Sequence, residues 1–412
     1  VAAPAGELLL YLGIGQSLLA LVPRLRPLGE KPGRLDPDRA WVFAATGDPR
    51  LVADPGRTLP VGALDALHPH LRQGRSGPLT AASAAILRAL GPQDRLVTVN
   101  LARRNTAIAA FLPGGETFRN VQRCMLRAAE LAAGRSLRFE RLVVSWVQGQ
   151  ADARTPHRVY LERLAALVDG LQDALDAATG GRGRLVFCQS QTTAWYAAGR
   201  RGVPLAQLDF AEARAGQVVL AGPEYMLERS DGVHLKPRGA VRLGALHGEA
   251  IGRALSGQGW QPLRMTGAEV SGAGVRVTFA GAEGALEAAG PTPGAAEVGA
   301  VEVGVRAVPH LGFTWQPPRG VATRIVAARI TGPREVMLAL SEPPAVLDRT
   351  LLALGFPEGI GLPEGFVNGD PQTARGAVTG LRARRAGVGP FGEPVHDWAL
   401  QQRIAPRWSQ TA

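Results

Sequence analysis

The chain is predicted to be α/β in its first part, a parallel sheet covered by helices as an α/β/α sandwich, with a β-rich, β-sandwich-like part behind it. Three observations carry this. Short apolar runs alternate with helical patterns from residue 7 to residue 257. Beyond that point the runs become short and β-branched, parted by Gly and Pro. The length of 412 residues also exceeds what one hydrophobic core usually serves. The boundaries that follow are 1–257 for the α/β part, 258–380 for the β-rich part, and 381–412 for an irregular tail packing on the body.

Taken in order, Glu7–Gly13 reads as a buried strand followed by a Gly-rich turn, and Arg95–Leu101 as a second short strand. Thr117–Ala133 has helical spacing, with Val121, Cys124, Met125, Ala128 and Leu131 on one face and Gly134 as its stop. Leu142–Trp146 is a third strand, ending at Gln148-Gly149. Tyr160–Ala178 is an amphipathic helix whose stripe is Leu161, Leu164, Leu167, Val168 and Leu171. Leu185–Cys188 is a fourth strand, and Pro237–Leu255 a helix with Pro in its first turn, where a missing N–H costs nothing. Strands alternating with helices imply βαβ units and a sheet buried on both faces. In the second part, Val275–Phe279, Val301–Val305, Arg324–Ile330 and Glu335–Leu340 read as antiparallel strands.

The net charge is +11, yet of the basic residues only Lys31 and Lys236 are lysine. The arginines are scattered and no aromatic-interleaved basic stripe appears, so nucleic acid is not an expected partner. Guanidinium forks suit carboxylates, which leaves an acidic polysaccharide or an acidic protein surface as fitting partners. Cys124 and Cys188 make neither a disulfide framework nor a metal spacing and read as buried small hydrophobes. The apolar run Leu8–Val22 lacks a basic flank and is broken by Gly13, Gly15, Gln16 and Ser17, unlike a signal peptide. No run reaches the roughly 20 apolar residues of a membrane span. A first residue of Val1 is compatible with a processed end.

Three places carry chemistry, each at the C-terminal end of a predicted element, where open α/β sheets bind ligands. Gly15-Gln16-Ser17 follows the first strand; a serine there is a nucleophile with its own N–H aimed at an anion, or a plain helix cap. Leu19 stands where a G-x-S-x-G elbow would have its second glycine. Asp231-Gly232-Val233-His234 precedes the last helix; the carboxylate can reach the imidazole Nδ1–H and leave Nε2 to take a serine proton. Trp146–Asp152 ends a strand, and the Gln148 carboxamide is either an oxyanion donor or part of a polar turn under a tryptophan. Asp152 either orients that amide loop or caps the next turn. His157 reads as a cap or surface residue, and His247 as a residue satisfied by packing. His68 and His70 lack nearby partner ligands, and Trp195-Tyr196 is a sugar platform or buried packing.

Together these blocks resemble the SGNH hydrolase superfamily, in its branch of sialate O-acetylesterase-like carbohydrate acetylesterases. Gly15-Gln16-Ser17, Trp146, Gln148-Gly149, Asp152 and Asp231-Gly232-Val233-His234-Leu235 match that branch's blocks, and the resemblance covers residues 7 to 255. It implies a flavodoxin-like build, with Ser17 as nucleophile, His234 as base and Asp231 steadying the imidazolium. It also implies an oxyanion hole from Ser17, Asn105 and Gln148, with Gln16, Gln150 and Asp152 in support and neither metal nor organic cofactor. Three departures stand out. Leu18 replaces an Asn, Gln150 replaces a Glu, and Arg104-Asn105-Thr106-Ala107-Ile108 stands for a G-G-T-x-I block without its glycines. The implied activity is hydrolysis of O-acetyl groups on a carbohydrate. The extracellular space, the periplasm or a particle is the expected setting, and the β-rich part is a possible docking surface for a protein partner. The altered glycine block keeps a rival open: a carbohydrate-binding or attachment protein, as on a phage-like particle recognising capsular polysaccharide, with weak or lost catalysis. A lipase or thioesterase of the same superfamily is a third expectation.

Overall fold

The computed structural model describes residues 6–19, 35–43, 67–69, 77–192, 202–227, 234–281, 283–288, 309–356, 381–390, 392 and 394–410. They fall into two compact units. The first is Val1–Thr192 with Arg201–Ala221 and His234–Trp260; the second is Thr193–Arg200 with Gly222–Val233 and Gln261–Ala412.

The first unit is built on strands β1 (Gly6–Gly15), β2 (Ala40–Phe43), β3 (Leu67–Pro69), β4 (Arg95–Asn100), β5 (Leu137–Val147), β6 (Arg184–Gln191) and β7 (Val218–Pro223). Its helices are α1 (Pro78–Ala89), α2 (Glu116–Ala133), α3 (His157–Thr179), α4 (Gly202–Ala213) and α5 (Pro237–Leu255). The sheet order is β3-β2-β4-β1-β5-β6-β7. Strands β2, β4, β1, β5 and β6 run parallel, and β3 is antiparallel at one edge. All ten residues of β1 are buried, as a central strand covered on both faces requires.

Each face of the sheet has its own helices. Leu8, Leu10, Leu12 and Ile14 point into a core closed by α2, α3 and α4. The expected stripe of α2 is buried there, as are Tyr160, Leu164, Leu167, Val168 and Leu171 of α3. On the opposite face, α1 bonds β4 through Ser83 Oγ and Thr98 Oγ1, 2.8 Å apart, and α5 bonds β5 through His247. Helices α1 and α5 touch backbone to backbone: a Cβ at Gly248 would lie 2.7 Å from Ala82 Cα. At the amino ends of the strands, Arg141 bonds Glu7 Oε2 at 2.6 Å, while Asp94 Oδ1 accepts the Glu7 N–H at 3.0 Å.

The second unit is β-rich, as predicted. It contains β8 (Arg264–Ser271), β9 (Gly274–Ala280), β10 (Leu286–Ala288), β11 (Phe313–Gln316), β12 (Ile325–Gly332), β13 (Glu335–Leu340), β14 (Leu351–Leu354), β15 (Leu381–Val388), β16 (Pro394–Trp398), β17 (Gln402–Ile404) and β18 (Arg407–Trp408). They form sheets of order β12-β13-β9-β8-β18, β10-β15-β16 and β11-β14-β17. Alternation sets their inner faces: Val275, Val277 and Phe279 of β9 and Val336, Leu338 and Leu340 of β13 are buried. The expectation of an irregular tail over 381–412 is corrected here. That segment supplies β15 to β18, which pair with β10, β14 and β8, so its arginines lie on strands. The predicted strand Val301–Val305 lies outside the described residues.

Candidate active site

The segment that carries Ser17 is shaped by Gly15. Its φ of 136° is one that side chains rarely adopt, and a Cβ there would collide with the Val147 carbonyl oxygen. The chain then turns: the Gln16 N–H donates to Val147 O at 2.9 Å, and the Leu19 N–H to Gln16 O at 3.0 Å. Ser17 sits on this turn with 8% of its surface exposed.

Strands β4 and β5 flank β1, and the segments leaving all three are bonded together. The Leu101 and Arg103 N–H groups donate to Gly13 O and Gly15 O, each at 2.8 Å. Asn100 Nδ2 donates to Leu19 O at 3.0 Å. On the other side, the Ala151 N–H donates to Gln16 Oε1 at 3.2 Å. Asn105 is exposed and holds φ at 47°. Asparagine tolerates this left-handed geometry better than most side chains, so the Arg104–Ile108 block holds a glycine-like backbone at Asn105 without a glycine.

Gln148 is fully buried, and its carboxamide faces inward. Nε2 donates to Thr106 O at 3.1 Å and to Asp152 Oδ2 at 2.5 Å, and Oε1 accepts the Tyr160 hydroxyl at 2.7 Å. Both amide hydrogens therefore already have acceptors. Asp152 Oδ2 also accepts the Ile108 N–H at 2.7 Å, while Oδ1 accepts Thr155 Oγ1 at 2.9 Å and lies 3.7 Å from Arg163 Nη1. Asp152 thus orients the loop and caps the turn at Thr155 at once. Gln150, at 5% exposure, is buried between these anchors.

His234 is half-buried at the entrance to α5. Asp231, Gly232 and Val233 lie outside the described residues, as do His70, Trp195, Tyr196 and the side chain of His68. His157 bonds Asp209 Oδ2 at 2.7 Å on the surface. His247 is buried; its Nδ1 lies 3.1 Å from Ser145 Oγ, which lies 2.8 Å from the Tyr11 hydroxyl. Burial pushes the His247 pKa down to about 3 and drives the Tyr11 phenol upward. Cys124 and Cys188 are buried and free, as read from the sequence, and burial raises both thiols. Among the described residues no cluster of three or more His, Cys, Asp or Glu could hold a metal, and no helix is long and apolar enough to cross a membrane.

Tyr160, Thr155, Thr106 and Gln207 belong to the site's supporting network although no motif marks them. Gln207 Nε2 donates to Gln148 O at 2.9 Å and its Oε1 accepts the Thr192 N–H at 2.8 Å. A glutamine among the apolar residues of α4 was the available signal.

No protein-family model and no curated protein matches the chain. Among solved structures, a carbohydrate acetylesterase from Xanthomonas citri aligns over 96% of this chain and 80% of its own, with a TM-score of 0.56 at 14% identity. The chain shares that esterase's fold. This agrees with the SGNH hydrolase resemblance carried by the sequence blocks. An aryl esterase of M. smegmatis matches 61% of this chain and 100% of its own, with TM-score 0.31 and 13% identity. A carbohydrate acetylesterase of Sinorhizobium meliloti matches 61% and 99%, with TM-score 0.30 and 14% identity.

Proposed function

We propose that the chain is a serine esterase that removes acetyl groups from a carbohydrate, with Ser17 as nucleophile, His234 as base and Asp231 as the group that orients His234. One observation carries the reading: the segments after β4, β1 and β5 are hydrogen-bonded into one unit around Ser17, at the carboxyl ends of adjacent parallel strands. From β1 the chain builds β2, β3 and β4 on one side of that strand and then crosses to β5, β6 and β7 on the other, the kind of switch point at which open α/β sheets bind ligands. The core order β4-β1-β5-β6-β7 is the flavodoxin-like order, with β2 and β3 added at one edge.

In this mechanism His234 takes the Ser17 proton as Oγ attacks the acyl carbon. The tetrahedral intermediate collapses, the sugar hydroxyl leaves with the proton from His234, and water then hydrolyses the acyl-enzyme with His234 as base. The oxyanion receives the backbone N–H groups of Ser17 and Asn105. Gln148, expected from sequence as a third donor, is reassigned to bracing, because both its amide hydrogens already serve Thr106 O and Asp152. The substrate class rests on the described activity of the Xanthomonas protein that shares the fold. A polymeric acetylated substrate also favours an extracellular or periplasmic setting.

The test is hydrolysis of 4-nitrophenyl acetate and of acetylated polysaccharide by wild type and Ser17→Ala. Loss of at least about a thousandfold in kcat is expected for the variant. Equal rates would overturn the mechanism, and retention of polysaccharide without turnover would favour the attachment-protein alternative.

A further inference from the structure

Resting on the esterase reading, we infer that Asp152 is a positioning residue for that site, whose single oxygen Oδ2 clamps the Asn105 turn to the segment after β5. Oδ2 accepts two hydrogen bonds from different parts of the chain, the Ile108 N–H at 2.7 Å and Gln148 Nε2 at 2.5 Å. The same Nε2 reaches Thr106 O at 3.1 Å, so the carbonyl of 106 and the amide of 108 are both held, directly or through one glutamine. Upstream, the Arg103 N–H is held by Gly15 O at 2.8 Å. Asn105 therefore lies between two anchors, one on the nucleophile strand and one on Asp152.

Asn105 is an exposed, non-glycine residue at φ 47°, so side-chain burial does not hold it there. The clamp supplies what local sequence does not. Its other oxygen is engaged by Thr155 Oγ1 at 2.9 Å and faces Arg163, so in every contact the carboxylate acts as an acceptor and has no freedom to turn. Asp152 is 3% exposed, and its removal leaves the Ile108 N–H and one Gln148 hydrogen unpaired inside the protein. The Asn105 N–H then loses its fixed aim, and an oxyanion donor that is not held in advance contributes little to rate.

The experiment uses the full chain, with active sites counted by a fluorophosphonate that labels Ser17. Per labelled site, Asp152→Ala is expected to lower kcat about a hundredfold with KM within about twofold, the split produced when transition-state contacts alone are lost. Asp152→Asn, which keeps an acceptor at the same place, restores about tenfold of that loss. In parallel, amide exchange over residues 103–109 should rise in Asp152→Ala, while exchange in β8 and β9 stays as in wild type. Unchanged kcat per labelled site, or a raised KM at unchanged kcat, would overturn the role, as would unaltered exchange over 103–109. If Asp152→Ala does not fold, Asp152→Asn alone decides: kcat about tenfold below wild type supports the clamp, and wild-type kcat refutes it. Wild-type protein with no Ser17-dependent turnover overturns the esterase reading and this catalytic role with it, whereas a failure confined to the exchange readout overturns the clamp alone.

Discussion

Gln16 Oε1 accepts the backbone N–H of Ala151 at 3.2 Å, tying the residue beside Ser17 to the segment that carries Gln148 and Asp152. The backbone N–H of Gln16 makes a second tie, to Val147 O at 2.9 Å. Gln16 is only 3% exposed, so a side chain unable to accept leaves the Ala151 N–H unpaired. Gln16→Leu is therefore expected to lower kcat on an aryl acetate by about tenfold, the equivalent of one neutral hydrogen bond. Gln16→Glu, which keeps the acceptor, should lose less. Steady-state kinetics checks the ranking, and equal rates for all three proteins would contradict it.

Two glycines with positive φ separate backbone strain from collision. Gly114 has φ 88° with open space around its missing Cβ, whereas Gly15 has φ 136° and a Cβ there would meet Val147 O. Gly114→Ala should cost about 1 kcal/mol from backbone geometry alone. Gly15→Ala should cost about 3 kcal/mol or prevent folding, because β1 and β5 must also part. Chemical denaturation of the two variants tests the difference.

His247 makes stability depend on acid. Its folded pKa is pushed down to about 3 from 6.5 by burial, so below pH 6.5 the unfolded chain binds a proton that the folded chain refuses. The stabilisation is complete above pH 6.5 and is lost as pH falls toward 3. The slope from this one group is about 1.4 kcal/mol per pH unit. His247→Leu should lose that slope, so the gap in unfolding free energy between the two proteins shifts by this amount per unit between pH 6 and pH 4. A parallel pair of curves would exclude the effect.

Among the described residues, the Arg403 guanidinium rests against an aromatic ring rather than a carboxylate. It stacks 5.0 Å from the Phe356 ring centroid, and its buried Nε and Nη2 have no hydrogen-bond partner among the described residues. Burial lowers its pKa, the mark of a charge held at a cost. Arg403→Met keeps the packing and removes the charge, and should raise the melting temperature by about 2–4 °C, equivalent to about 1 kcal/mol. A lower melting temperature would show that the charge stabilises the unit.

The elements with strong periodicity were legible. Val121, Cys124, Met125 and Ala128 pointed to α2, and α5 runs from Pro237 to Leu255 as its proline and spacing indicated. Helix α1 was not, because its alanine-rich sequence buries small residues with little contrast between its faces. The strands after residue 381 were hidden because Arg382 and Arg385, charged residues normally found outside, are buried on β15 and face Glu287 and Asp397.

At the site, the residue types and their places at strand ends came from local pattern, since apolar runs and turn residues act over a few positions. Which way the Gln148 amide faces was decided only by tertiary structure. Its partners Thr106 and Tyr160, like the Gln16–Ala151 bond, join residues 42, 12 and 135 positions apart. Such pairings follow from the strand order that sets β4, β1 and β5 side by side, and a hydrogen bond across that distance leaves no periodic trace in the chain.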